Sequence, residues 1–161
     1  MAIEIKLADY SNPRHGADLI AVLRAYANDV MGGGEDLSDY AQQNLIASLA
    51  QQPGAFTVLA YVDGKPAGLA NCFTGFSTFA CKSLINIHDF AVVAEYRGRQ
   101  LSQLLLDRVE QIARERDCCK VTLEVLQGNT VAQNAYRKHG FEGYELPGGQ
   151  GHALFWEKKL A

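Results

Sequence analysis

The chain has 161 residues, 48% of them apolar and 20% charged, with a formal net charge of −3. That length suits one domain with a substantial core, and that balance is globular, not disordered. A mildly acidic chain without a block of basic residues lacks the electrostatic footprint of a protein that binds DNA, RNA or anionic membranes.

No apolar stretch approaches the roughly 18 residues that span a bilayer. The opening Met-Ala-Ile-Glu-Ile-Lys-Leu alternates apolar and charged residues and has no signal-peptide core, so a cytoplasmic location is expected. Cys72, Cys81, Cys118 and Cys119 lack the Cys-x-x-Cys spacing of a zinc or redox site and read as free, buried or half-buried thiols.

Taken in chain order, residues 3–8 read as a strand by alternation. Ser11 and Asn12 before Pro13 predict a helix over residues 13–30, broken by Met31-Gly-Gly-Gly-Glu-Asp36. A second helix follows over residues 38–51 and stops at Pro53-Gly54. Residues 56–62 and 65–76 predict a hairpin closed by the favoured turn dipeptide Asp63-Gly64. Then come a strand (84–93), a helix (98–116), a strand (120–125) and a helix (130–139). Asn129 suits the N-cap of that last helix, and Gly140 suits the left-handed position past its end.

Residues 142–146 and 152–159 predict two final strands joined by Pro147-Gly-Gly-Gln-Gly151. Trp156, in the terminal strand, is expected in the core. His15 and His139 read as surface residues. The order is mixed α/β, with antiparallel hairpins early and a β-α-β crossover later. No repeat, linker or low-complexity tract divides it, so residues 1–161 read as a single domain.

The most informative stretch is Val92-Val-Ala-Glu-Tyr-Arg97-Gly-Arg-Gln-Leu-Ser102. An apolar strand runs through an arginine- and glycine-bearing turn into an amphipathic helix, with Leu101, Leu104, Leu105, Val109, Ile112 and Ala113 on one face. Such a joint aims unpaired backbone N–H groups and the positive end of a helix dipole at one point, where phosphates bind. Arg97 and Arg99 add charge, and Gly98 permits the tight turn. A turn of purely local significance is the alternative from these residues alone. About thirty residues on, a strand passes through Gln127-Gly-Asn129 into a short helix with Ala132, Ala135 and Tyr136 on one face.

Together the two segments resemble the GNAT superfamily of acyl-CoA-dependent N-acetyltransferases. The first is similar to its pyrophosphate loop, R/Q-x-x-G-x-G/A, with Arg97 at the first position. The second is similar to its later pattern of an asparagine, a tyrosine seven residues on, and a Gly-Phe pair: Asn129, Tyr136 and Gly140-Phe141. The resemblance covers about residues 55–145. It implies an α/β GNAT fold: a mixed, mostly antiparallel sheet of about seven strands flanked by about four helices. It implies acetyl-CoA as cosubstrate, no metal, and an assembly compatible with a homodimer. Phe90, Ala91, Val92, Arg97, Gly98, Arg99, Gln100, Leu101, Ser102, Asn129 and Tyr136 become the expected cofactor contacts. Gln100 stands where the family usually has glycine, and Ser102 where it has glycine or alanine. Glutamine adds a side chain beside the ligand but keeps the N–H, which reads as weakened affinity, not a lost site.

The implied reaction is direct attack of a primary amine on the thioester. Tyr136 is the candidate general acid, since a phenol near pKa 10 is protonated at neutral pH and can supply the leaving thiolate. A core tyrosine on an amphipathic helix is the alternative. His88 is the candidate base, a polar residue in an otherwise apolar strand, of a type that titrates near pH 6.5. A strand histidine satisfied by a neighbour is its alternative. The diamine (spermidine/spermine-type) acetyltransferases have Glu-Asp-Phe where this chain has His88-Asp89-Phe90, and Phe76-Ser-Thr-Phe79 is similar to the same branch. Glu35 and Asp36 with His88 and Asp89 are the expected acceptor contacts, an acidic mouth for a cationic amine, unless the acidic loop is only a solvated helix start. A small cationic metabolite is the expected acceptor. A protein or peptide amine is an alternative, and a non-catalytic acyl-CoA sensor, which Gln100 favours, is the rival class.

Overall fold

In the computed structural model, which describes residues 1–161, the alternating N-terminus forms β1, Ile3–Leu7. Helix α1 spans Pro13–Asn28; Asn12 caps it by accepting from the N–H groups of Arg14 and His15. It ends slightly before the predicted boundary because Asp29 turns extended and caps a 3-10 turn, Val30–Gly32, at the N–H of Met31. Ser38 caps α2, Asp39–Gln51, at Ala41. Strands β2, Phe56–Val62, and β3, Lys65–Ser77, join through Asp63 and Gly64, whose φ angles of 49° and 77° fit a type I′ hairpin turn. Then follow β4, Lys82–Val92; α3, Leu101–Glu115; β5, Val121–Leu123; and α4, Thr130–Lys138.

The sheet has five strands in the order β1-β2-β3-β4-β5, antiparallel as far as β4. β4 and β5 are parallel, with α3 as the crossover between them. Strand alternation sorts the core onto two faces. Phe56, Val58, Ala60, Ala70, Cys72, Ile85 and Ile87 pack against Leu105, Leu106, Val109 and Ile112 of α3. On the opposite face Leu59, Tyr61 and Leu69 meet Leu19, Val22 and Leu23 of α1 and Leu49 of α2.

The C-terminal part corrects the sequence reading. The predicted strands over 142–146 and 152–159 do not form, so the sheet has five strands and not seven; the bridge Glu145–His152 and the hydrogen bond from Ala153 N–H to the Tyr144 carbonyl are what remains of their pairing. An isolated two-stranded hairpin without a buried face is marginal, and every residue from 142 to 161 is solvent-exposed. Trp156, expected in the core, is 83% exposed. His139 errs the other way: its side chain is 11% exposed and its Nε2 lies 2.7 Å from Asp107 Oδ1. His15 is half-buried, its Nδ1 accepting from the Asp9 N–H. All four cysteines are free; Cys72 is buried, which pushes its thiol up to about 12, whereas Cys81 and Cys119 are exposed, contrary to expectation.

Candidate active site

The site begins with a break in strand register. Asn71 of β3 faces Asp89, but Cys72 faces Ile87, which leaves His88 as the extra residue of a β-bulge. The bulge inverts the alternation of β4: Ile85 and Ile87 point to the α3 face before it, and Phe90 and Val92 after it. β4 pairs with β5 only from Ile85 to Ile87, opposite Val121 to Leu123. Beyond that point β4 continues to Val92 with no strand on its β5 side. The main-chain groups that Phe90 and Val92 turn away from β3 therefore line an open slot suited to an extended ligand, whereas the Ala91 carbonyl points to Gly68 of β3.

The slot leads to the turn before α3. This helix starts at Leu101, later than predicted, because Gly98 and Gln100 both take left-handed conformations, with φ of 79° and 61°. Gln100 thus holds the N-cap in the conformation that glycine adopts most easily, and its side chain makes no capping bond. Backbone N–H groups from Gly98 through Gln103 find no acceptor in the protein. They crowd the positive end of a helix anchored below by the buried Leu101 side chain. This is an anion cradle built from main chain. The half-buried Ser102 adds little bulk to it.

Both arginines of the turn have local partners. Arg97 Nε donates to the Val92 carbonyl at 3.2 Å, and its guanidinium lies 3.6 Å from Asp29. Arg99 lies over the Tyr96 ring at 5.6 Å and contacts the Met1 sulfur.

Helix α4 closes the other side. Asn129, expected to touch the cofactor, accepts from the Ala132 N–H as the N-cap of α4. Gln103 Nε2 donates to the Ala135 carbonyl and ties α4 to the first turn of α3. Tyr136 is 8% exposed, with its ring edge-on to Phe90 at 5.7 Å and to Phe141 at 5.9 Å. Burial, with a smaller contribution from Tyr26, pushes its phenol up to about 12. Its hydroxyl has no protein partner, and no fully buried polar atom is left unsatisfied, so the hydroxyl reaches solvent from an otherwise apolar seat. Tyr26, missed in the sequence, is also raised by burial and by the carboxylates of Asp89 and Asp29.

His88 is exposed at the bulge, with its ring edge-on to Phe73 at 5.5 Å and no hydrogen bond to the protein. Asp89 is half-buried; its Oδ2 accepts from Asn71 Nδ2 at 3.0 Å. The acidic loop divides. Asp36 is engaged by Arg24, with guanidinium contacts of 2.7 to 3.2 Å that lower its carboxyl below the usual range, so it is not free to gather a cation. Glu35 is exposed and forms no ion pair. Arg24, Asn71 and Thr57 escaped the sequence reading. For Asn71 and Thr57 the signal was available, since each interrupts an apolar strand just as His88 does.

Parallel strands paired over only three residues, a bulged β4, an amide-lined turn and a tyrosine-bearing helix form one constellation. The chain belongs to the Acetyltransferase (GNAT) family, which residues 18–141 match. It is thereby an acetyltransferase, and the expected superfamily holds. A candidate ribosomal protein bS18-alanine N-acetyltransferase of Bacillus subtilis (strain 168) is 27% identical over 112 residues, 70% of this chain and 68% of that protein. Among solved structures, the aminoglycoside acetyltransferase meta-AAC0020 from an uncultured soil metagenomic sample has a TM-score of 0.77 at 17% identity, covering 98% of this chain and 97% of its own. Aminoglycoside N-acetyltransferase AAC(6')-Iy, solved with CoA, has a TM-score of 0.75 at 17% identity, covering 98% and 95%. The two structures establish likeness of fold.

Proposed function

We propose that the protein transfers an acetyl group from acetyl-CoA to a primary amine of a small cationic metabolite. The carrying observation is the run of unpartnered N–H groups from Gly98 to Gln103 at the mouth of the β4–β5 slot. Donors fixed in that array suit a pyrophosphate, and the bare β4 edge suits a pantetheine arm, so these residues fit the cosubstrate. When bound, acetyl-CoA supplies the thioester carbonyl that the amine attacks. The amine nitrogen bonds to the carbonyl carbon as the carbon–sulfur bond breaks.

His88 takes the amine proton directly or through water, because its exposed ring has no competing partner. Tyr136 donates toward the departing sulfur. A phenol raised to about 12 by burial keeps its proton at neutral pH and so has one to give. Asp89 and Glu35 gather the cationic acceptor. Diamines fall within that class, as do the aminoglycosides named for the structural relatives. A peptide amine is the second reading, supported by the name of the Bacillus relative.

Acetyl-CoA consumption over a panel of diamines, aminoglycosides and alanine-starting peptides tests the acceptor class. In calorimetry, Arg97→Ala should weaken acetyl-CoA binding about tenfold, or 1.4 kcal/mol. Binding without turnover on any amine would favour the sensor class, unchanged affinity in the arginine variant would leave the main-chain cradle alone to hold the phosphates, and a wild type that does not bind acetyl-CoA would refute the phosphate site.

A further inference from the structure

The buried core holds few polar side chains, and they lie in one row. Thr57 is 0% exposed and Asn71 3%, and they are the polar residues of the buried set. They are lateral neighbours in the sheet: Thr57 faces Asn71, and Asn71 faces Asp89. Side chains so paired on one face of a sheet stand about 4.5–5.5 Å apart at Cβ, close enough to hydrogen-bond. Tyr10 Oη meets Thr57 Oγ1 at 2.8 Å, Thr57 Oγ1 meets Asn71 Oδ1 at 2.7 Å, and Asn71 Nδ2 meets Asp89 Oδ2 at 3.0 Å.

The row has a direction. A carboxylate only accepts, so Asn71 must turn its NH2 toward Asp89 and its carbonyl toward Thr57. Thr57 has one proton and gives it to that carbonyl, so Tyr10 is the donor to Thr57. Every donor points toward Asp89. Asp89 Oδ1 meets no donor in the protein and is left for a ligand. The register shift at His88 is what brings Asp89 into line with Asn71.

Buried polar links of this kind seldom stabilise a fold more than apolar residues of the same shape. We infer that Tyr10, Thr57 and Asn71 are positioning residues that hold the Asp89 carboxylate in one orientation, so that its free oxygen receives the ammonium group of the acceptor. The inference rests on the N-acetyltransferase reading above. It gives a use to the polar residues that interrupt β2 and β3, away from the cosubstrate turn.

Thr57→Val tests it, because valine keeps the β-branched shape and removes one hydroxyl that touches neither substrate. Asn71 then loses the donor that fixes its amide. The amine KM should rise about tenfold, with kcat and acetyl-CoA affinity within about twofold of wild type. Thr57→Ser, which keeps the hydroxyl, should restore the wild-type KM. Tyr10→Phe, one link further from Asp89, should have a smaller effect of about two- to threefold. In nitrogen-15 spectra of the ligand-free protein, the Asn71 side-chain NH2 signals should be protected from exchange in the wild type and in Thr57→Ser, and lose protection in Thr57→Val. An active wild type whose Thr57→Val variant keeps both the amine KM and the Asn71 protection overturns the positioning role and leaves the transferase reading intact. A wild type that binds acetyl-CoA but acetylates no panel amine overturns both.

Discussion

Replacing Gln100 with glycine should improve the protein twice over. The residue sits at φ 61° and ψ 19°, and an L-residue pays about 1–2 kcal/mol for that region. Glycine relieves this cost but loses about 0.5–1 kcal/mol through the greater freedom of its unfolded chain. The net gain is about 0.5–1 kcal/mol. For a chain of this size that corresponds to roughly 1–4 °C in Tm. The variant keeps the backbone N–H at position 100 and removes the side chain beside the cradle, so acetyl-CoA should bind more tightly. Gln100→Ala separates the effects: it removes most of the side chain but keeps Cβ, so affinity should rise while Tm does not. Differential scanning calorimetry and isothermal titration of the three proteins measure both quantities. A glycine variant with unchanged or lower Tm refutes the strain reasoning. Lower affinity in both variants shows that the glutamine amide is itself a ligand contact.

Tyr136→Phe should lower kcat by on the order of 10²–10⁴ while leaving acetyl-CoA affinity within about twofold; wild-type turnover would reduce Tyr136 to a packing residue. Its titration also predicts a stability effect. The unfolded phenol loses its proton near 10 and the folded one at about 12. The folded state thus holds more protons between those values, and stability falls as pH rises through that window. Urea unfolding at pH 9 and pH 11 should show a smaller alkaline loss in Tyr136→Phe than in the wild type, and an equal loss would refute the assignment. His88→Gln, which keeps hydrogen bonding without basicity, should cut kcat more than it raises the amine KM; full activity with an unchanged pH profile would move the base role to water or another residue.

Much of the fold was legible because local signals and the global pattern agreed. Asn12 and Asn129 cap the helices that their positions suggest, Ser38 proves to be the cap of the helix predicted to begin with it, and Asp63-Gly64 closes its hairpin. The failures share one cause: alternation or composition predicts that a side chain can be buried, not that a partner is present. Leu154, Phe155 and Trp156 carry the composition of a buried strand but have nothing packed on them, and all three are exposed. His139 is the converse, a polar residue near a helix end that Asp107 of α3 draws in. Within the site, the phosphate turn could be read from a contiguous stretch of chain. The neutralisation of Asp36 by Arg24 and the row from Tyr10 to Asp89 join residues distant in sequence, and only strand register brings the latter together.

The amide-lined turn also bears on how such sites drift. Its recognition groups are peptide N–H bonds, which every residue but proline possesses, so mutation can rewrite the side chains there while the donors persist. What selection must preserve is a pair of backbone angles: Gln100 departs from the family's usual glycine yet adopts the left-handed geometry that glycine would take. In this chain the cradle is therefore kept by torsion angles and not by the glycine itself.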